Sequence, residues 1–512
     1  MKQNRRDFLK KSSCALTMLG LATQARHFGL MSALAQKMDR DFDDSDAVPS
    51  DYRALVCVFM SGGNDGNNLV IPNHADSSIS NYQQYFNVRN PSGLAQTQAS
   101  LLPITVPRMS GLSYGLHQNV GTMIGRTDIP DNNGTLGGTR NGGIHDLWAQ
   151  GKLAIVPNVG NLVRPMTRAQ YQNNTIPKPY QLFSHSDQVQ QQQSSRSDRR
   201  VYHGWGGKIA DLRNAPDNPG ALVPMISSIA GTQVFTIGQT ATPLSIASGN
   251  VALNNVLVLQ NLPNTTEGNA RRAALATLRT QDLDSNVVKA ASHITNQAQL
   301  ASNALSTFQE VTAVFPNTSL GLQLKQVARL IKKRTDLNIK RQIFFVQIGG
   351  FDTHNGQVST TTAGQNGLLI QLGQAMRAFY DEMTAQSIQN NVTAFTMSDF
   401  GRTFVPAGQG TGVVGSDHAW GNHLMIMGGA VRGGDFYGMN TPNGTPFPTL
   451  TPGGPDDTDS GTSPRGRWIP TTSVDQYAAT LSRWYGLPDT EIPTAFPNIG
   501  NFATSDLGFM NP

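Results

Sequence analysis

Ile343–Gly356 reads IFFVQIGGFDTHNG: an apolar run suited to a strand buried on both faces, then a Gly-Gly turn that delivers Asp352 and His354. A strand buried on both faces belongs to a parallel sheet covered by helices, and such open sheets bind ligands at the carboxyl edge. The pattern recurs in ALVCVFMSGGNDGNN (54–68), which carries Asp65, and in TAFTMSDFGRTF (393–404), which carries Asp399 and Arg402. GSDHAWGNHLMIMGG (415–429) adds Asp417, His418 and His423 beside another apolar run.

Between these segments the chain alternates strand and helix. Strands are predicted over Ala54–Met60, Ile343–Ile348, Val392–Met397 and Leu424–Met427, and helices over Leu368–Met383 and Val474–Tyr485. IHDLWAQGKLAIVPNVG reads as helix, Gly stop and strand, half of a βαβ crossover. Arg271–Asp336 is expected to be helical, because Leu320, Leu324, Val327 and Ile331 recur at helical spacing. Residues 73–142 read as irregular, Gln181–Gln193 as a helix with a solvated outer face, and Ala221–Leu262 as a small β-rich insertion or cap. The expected fold class is α/β: a central, mostly parallel sheet with helices on both faces and a smaller inserted helical/β region at about 195–310. The expected division is a signal at 1–35, a linker at 36–50, one domain at 51–490 and a tail at 491–512.

Asn4–Lys11, NRRDFLKK, is a twin-arginine consensus; a modestly apolar stretch from Cys14 to Ala22 and a small-residue cleavage site at Ala33–Ala35 follow it. The expectation is export in the folded state by the twin-arginine translocase, to the periplasm or beyond, with no stable membrane anchor. The signal carries six cations against one acid, so the whole-chain charge of +5 falls to zero once it is removed. No basic surface for nucleic acid remains. Of the two cysteines, Cys14 leaves with the signal, and Cys57 sits inside an apolar run where a thiol serves as a small core hydrophobe.

Asp352 and His354, two residues apart on a loop leaving a strand, can reach one cation if the loop curls around it. Asp417, His418 and His423 stand within seven residues, denser than a purely structural loop needs. Asp65 and Asp399 stand at equivalent strand ends, although GGNDGNN is also plain turn chemistry. Together these residues suggest one or two divalent ions, with zinc, manganese, magnesium and calcium all open.

The twin-arginine signal, FMSGGNDGNNLVIP, LFSHSDQ, GGFDTH, SDFGRTF, GSDHAWGNH and IPTTSVDQYAATLSRWYGL together resemble the DUF1501 family, from about residue 54 to 487. That pattern resembles in turn the alkaline phosphatase and sulfatase superfamily. The resemblance implies an alkaline phosphatase-like fold and an exported metal-dependent hydrolase of phosphate or sulfate esters, its substrate unspecified. It also implies a nucleophile in LFSHSDQ, Ser184 or Ser186, for which plain helix capping is the other reading. Arg402, after the Asp399 strand, is placed either to clamp an oxyanion or to pair with a surface acid. The chain departs from the superfamily pattern in Asp352-Thr353-His354 and in Asp399-Phe400, which puts a two-metal set in doubt. A non-catalytic exported protein for binding or cell-surface assembly is the alternative, since fold does not fix function.

Replacing both Arg5 and Arg6 with Lys is expected to leave unprocessed precursor in the cytoplasm, read by fractionation and immunoblot. Undiminished export of that variant in cells lacking the twin-arginine translocase would refute the assignment.

Overall fold

The computed structural model turns the apolar run into β1 (Arg53–Met60), whose last seven residues are fully buried, with β8 (Arg341–Ile348) on one side and β9 (Val392–Ser398) on the other. Both pairings are parallel, and Met60 lies opposite Ile348 and Ser398. The structure describes residues 51–121, 143–253, 265–278, 298–305, 310–359 and 362–512, with the single residues 127, 135, 280, 292 and 296. The twin-arginine segment and the linker lie outside the described residues.

The sheet continues through β5 (Leu153–Gly160), β6 (Ile226–Ser228), β7 (Leu244–Ser245), β10 (Asn422–Gly428) and β11 (Thr472–Ser473) in the order β11–β5–β10–β9–β1–β8–β6–β7. β10 alone runs against its neighbours, antiparallel to both β9 and β5. The segment before β10 therefore lies at the edge where β1, β8 and β9 end, so residues preceding that strand meet residues following the other three. A smaller antiparallel sheet joins β2 (Val70–Pro72) to β4 (Leu112–Leu116) and β3 (Leu102–Val106), the last two within the region expected to be irregular. Its strands carry Pro and Gly among short alternating runs, which hid them.

Side-chain alternation along the central strands sorts two cores. Ala54, Val56, Val58 and Met60 face one core with Phe344, Val346 and Ile348, while Leu55, Cys57 and Phe59 face the other with Ile343 and Phe345. On the first face lie helices Ser319–Lys332 and Gly364–Ala385; on the second lie Trp205–Asp217 and Val474–Tyr485. Leu320, Leu324, Val327 and Ile331 are all fully buried, as their spacing predicts. The Val474–Tyr485 helix opens on a capping box between Ser473 and Gln476 and stops at Gly486 in the left-handed region. Cys57 is buried, and burial pushes its thiol pKa well up, as expected of a core hydrophobe.

Two expectations change. Ile226–Ser228 and Leu244–Ser245 do not form a separate β cap; they extend the main sheet parallel to β8, whose outer edge is open to them. The Gln-rich helix, His185–Ser194, is not solvated outward: Gln188, Gln191, Gln192 and Gln193 are buried. Their amides serve backbone groups. Gln188 Nε2 donates to Tyr180 O at 3.0 Å, and Gln193 Oε1 accepts from Phe235 N at 2.9 Å.

Gly62 sits at φ +113° where β1 opens into its loop, and a Cβ there would lie 2.4 Å from the Asp352 backbone nitrogen. Gly62→Ala is expected to cost about 1–3 kcal/mol in urea denaturation, since it meets both a left-handed backbone and a fixed main chain. An unchanged midpoint would show that the two loops are free to part.

Candidate metal centre

Asp352 follows β8 and leaves 46% of its side chain exposed, yet four cationic or imidazole groups crowd one of its oxygens. Oδ1 lies 2.9 Å from an Arg402 guanidinium nitrogen and 3.1, 3.3 and 3.4 Å from Nε2 of His354, His185 and His418. His354 Nε2 and His418 Nε2 are themselves 2.9 Å apart. Burial alone would raise the Asp352 carboxyl pKa, but the Arg402 hydrogen bond and charge, with His185 and His354, hold it below its ordinary value.

Two of the three imidazoles are fixed by a hydrogen bond on their far side. His418 Nδ1 donates to the Phe183 carbonyl at 2.8 Å, and His185 Nδ1 meets Asp399 Oδ2 at 2.7 Å. Asp399 Oδ1 in turn accepts from the Gly62 amide at 3.0 Å. His354 Nδ1 stands 3.7 Å from Asp417 Oδ1. The Asp399 hydrogen bond raises the His185 pKa against the pull of burial, whereas burial lowers that of His418.

A neutral imidazole that gives its Nδ1 proton to an oxygen presents a lone pair at Nε2. Such lone pairs, aimed at a carboxylate and at one another, repel unless a proton or a metal cation lies among them. His185 Nε2 is buried without a hydrogen-bond partner. Two trios, His185–Asp352–His418 and His354–Asp417–His418, bring potential ligand atoms within 4.8 Å of one another. Imidazole nitrogen with carboxylate oxygen, with His185 backed by a carboxylate and His418 by a carbonyl, is the donor chemistry of a transition-metal site. The residues fit a divalent ion.

Of the residues read from the sequence, Asp352, His354, Asp417 and His418 come together, and Asp399 reaches the group through His185. Asp417 divides its duties: Oδ1 accepts from the His418 amide at 2.8 Å, and Oδ2 takes Arg465 at 2.5 Å and Arg467 at 3.4 Å. His185, the residue between the two candidate serines, enters the group, although the reading of LFSHSDQ concentrated on the hydroxyls beside it. Ser184 Oγ donates to Asp187 Oδ2 at 2.7 Å and lies 3.3 Å from Ser186 Oγ. Ser184 stands at the helix N-cap position, but its side chain makes no cap bond.

Asp65 and His423 stand outside the two trios. Asp65 is buried in a two-bond pair with Arg89 at 2.5 and 3.2 Å and also accepts from Gln357 Nε2 at 2.6 Å, which commits both oxygens. His423 is fully enclosed, and burial pushes its pKa down to about 3, so the ring is neutral. Its Nδ1 accepts from the Asn158 amide at 3.1 Å. Arg402 is buried, with one terminal nitrogen on Asp352 and the other on the Ser416 carbonyl.

The family model for DUF1501, described as a protein of unknown function, matches residues 52–446, and the chain belongs to that family. No curated protein matches it. Among solved structures it is similar to a mutant of the alkaline phosphatase PafA, at 10% identity over 70% of this chain and 64% of that one, with a TM-score of 0.23. A sulfatase from Pseudoalteromonas sp. is 8% identical over 75% and 64%, at 0.24, and Ps i-CgsB in complex with k-i-k-neocarrahexaose is 7% identical over 88% and 77%, at 0.31. The chain thus spans about two thirds of the length of the first two, and at such scores none of the three carries an argument about its chemistry.

Asp65→Ala is expected to cost about 3–5 kcal/mol in denaturant unfolding, because it strands the Arg89 charge in the interior. The folded fraction should still bind metal as the parent does. Loss of metal binding from folded Asp65→Ala protein would return Asp65 to the ligand set.

Proposed function

We propose that this DUF1501 member is an exported, metal-dependent hydrolase of phosphate or sulfate esters in which a single divalent ion is held by His185, Asp352 and His418. The observation that carries the reading is the convergence of three imidazole Nε2 atoms on Asp352 Oδ1, at 3.1 to 3.4 Å. Both trios need the same residue, His418, which favours one ion over two. Nitrogen-rich ligation favours zinc over manganese, magnesium and calcium, which prefer oxygen shells. Export rests on the Asn4–Lys11 consensus, and no helix among the described residues is long and apolar enough to cross a membrane.

When bound, the ion supplies Lewis-acid polarisation of an ester oxygen. The protein supplies the rest. Phe183 O and Asp399 hold the Nδ1 protons of His418 and His185 and so keep both Nε2 atoms facing inward. Arg402, tied to Asp352 and to the Ser416 carbonyl, keeps the carboxylate charged and in place rather than standing free to clamp an oxyanion. His354 is about half exposed, with Asp417 behind its Nδ1, and is placed to pass a proton from Nε2 to a departing ester oxygen. With Ser184 and Ser186 turned to Asp187, water is the nucleophile and no covalent seryl intermediate forms.

The same arrangement supports a second reading, binding or cell-surface assembly without turnover. Neither serine hydroxyl nor the Arg402 fork is free, which an enzyme using either would require.

Metal analysis of the folded protein, followed by assays on 4-nitrophenyl phosphate and 4-nitrophenyl sulfate, separates the two. Hydrolysis that survives Ser184→Ala with Ser186→Ala but falls at least a hundredfold in Asp352→Ala and His185→Ala is the expected result. Metal bound with no ester turned over, or a folded protein that holds no metal, would end the hydrolase reading and leave the binding reading standing.

A further inference from the structure

Arg467 lies beyond the span that the family model matches, yet its guanidinium touches the candidate centre at several points. Nε donates to the His418 carbonyl at 2.9 Å, one terminal nitrogen reaches Asp417 Oδ2 at 3.4 Å, and the other reaches Asp459 Oδ1 at 3.4 Å. The same guanidinium lies over the Phe183 ring, 4.7 Å from its centroid. Phe183 holds the left-handed region at φ +76°, uncommon for an aromatic residue, and its carbonyl is the acceptor that fixes His418 Nδ1.

We propose that Arg467 is a positioning residue of the metal centre, a role that rests on the metal-centre reading of this site. It grips His418 from both sides. One contact holds the residue's own carbonyl, and the other packs against Phe183, which orients the imidazole. Its bond to Asp417 Oδ2 leaves Oδ1 facing His354 Nδ1. Arg467 is itself preset: its amide donates to Asp457 Oδ1 at 2.9 Å, and Asp457, fully buried, also accepts from the Gly453 and Gly466 amides at 2.8 and 2.9 Å. Arg465 differs: its side chain is 53% exposed and its guanidinium bonds only to Asp417, so it supplies charge without reaching His418 or Phe183.

Charge and position make opposite demands. A cation beside a metal site opposes metal binding, so an effect of charge alone predicts tighter binding in Arg467→Ala and parental binding in Arg467→Lys. Positioning predicts weaker binding in both, because lysine keeps the charge but loses the planar fork and the stacking face.

The test is titration of the purified, folded full-length exported protein with cobalt(II), read by its visible d–d bands, with far-UV circular dichroism and melting temperature as folding controls. Expected are a roughly tenfold or greater loss of affinity and shifted bands in Arg467→Ala and Arg467→Lys, with Arg465→Ala, which loses charge alone, at parental affinity or tighter. Should Arg467→Ala fail to fold, Arg467→Lys decides the outcome alone. Parental affinity and spectrum in the lysine variant would overturn the positioning role, as would tighter binding in the alanine variant. A parent that takes up no cobalt would end the metal-centre reading and this role with it, a failure distinct from that of the variants.

Discussion

The candidate centre depends on how closely three loops approach at one edge of the sheet. Ser61 donates its amide to Ile348 O at 2.9 Å, and Phe351 returns one to Ser61 O at 3.2 Å, which stitches the β1 and β8 loops together. Gly62 then donates to Asp399 Oδ1, and the other Asp399 oxygen takes His185. A backbone amide after the first strand thus helps fix an imidazole from a helix more than a hundred residues later. The β1 and β8 loops come this close because Gly62 has no side chain to strike the Phe351–Asp352 main chain.

Beneath the open centre lies a closed one. Asp65, Arg89, Gln357, Asn67 and Arg402 form a buried polar layer in which the Asp65 carboxylate accepts from two side-chain amides and a guanidinium, while Asn67 Nδ2 also reaches the Arg402 carbonyl. A buried carboxylate is tolerable when both its oxygens are satisfied in this way, and these bonds tie the layer together although Nε of Arg89 and of Arg402 is buried without a partner. Ser416 joins it by donating to Gln357 Oε1, which brings the loop before His418 onto the same footing. Rigidity below and exposure above let the upper side chains stay accessible to solvent without losing their places.

How much of this is legible in the sequence follows from how local each signal is. The central strands β1, β8, β9 and β10, the acids at their ends and the helix at Val474–Tyr485 are written in short-range period and turn chemistry, and they appear where expected. The direction of β10 is not, because an apolar run looks the same read either way; only its antiparallel pairing with β9 and β5 shows that the segment before it, with His418, lies at the edge where β1, β8 and β9 end. Asp65 resembles a ligand until Arg89 is seen, a partner on a helix whose own segment reads as irregular. His185 shows the same limit most clearly: its partner Asp399 is 214 positions away, and nothing in LFSHSDQ marks the imidazole above the hydroxyls.

Because β10 is reversed, the chain leaves β9 and enters β10 at the same edge, and the excursion between them is one doubled-back arm. Arg402 and His418 pair across its base in an antiparallel bridge, and Ala407 pairs with Gly415 farther out, while residues 407–413 at the tip are exposed. Arginine, aspartate and histidine therefore arrive on a single cassette with a braced root and an exposed tip, which touches the rest of the fold through Gly410 N on Ser92 O at 3.1 Å and Gly412 N on Val358 O at 3.3 Å. Length and composition can drift at the tip while the root holds its spacing, so relatives can vary what surrounds the centre without rebuilding what composes it.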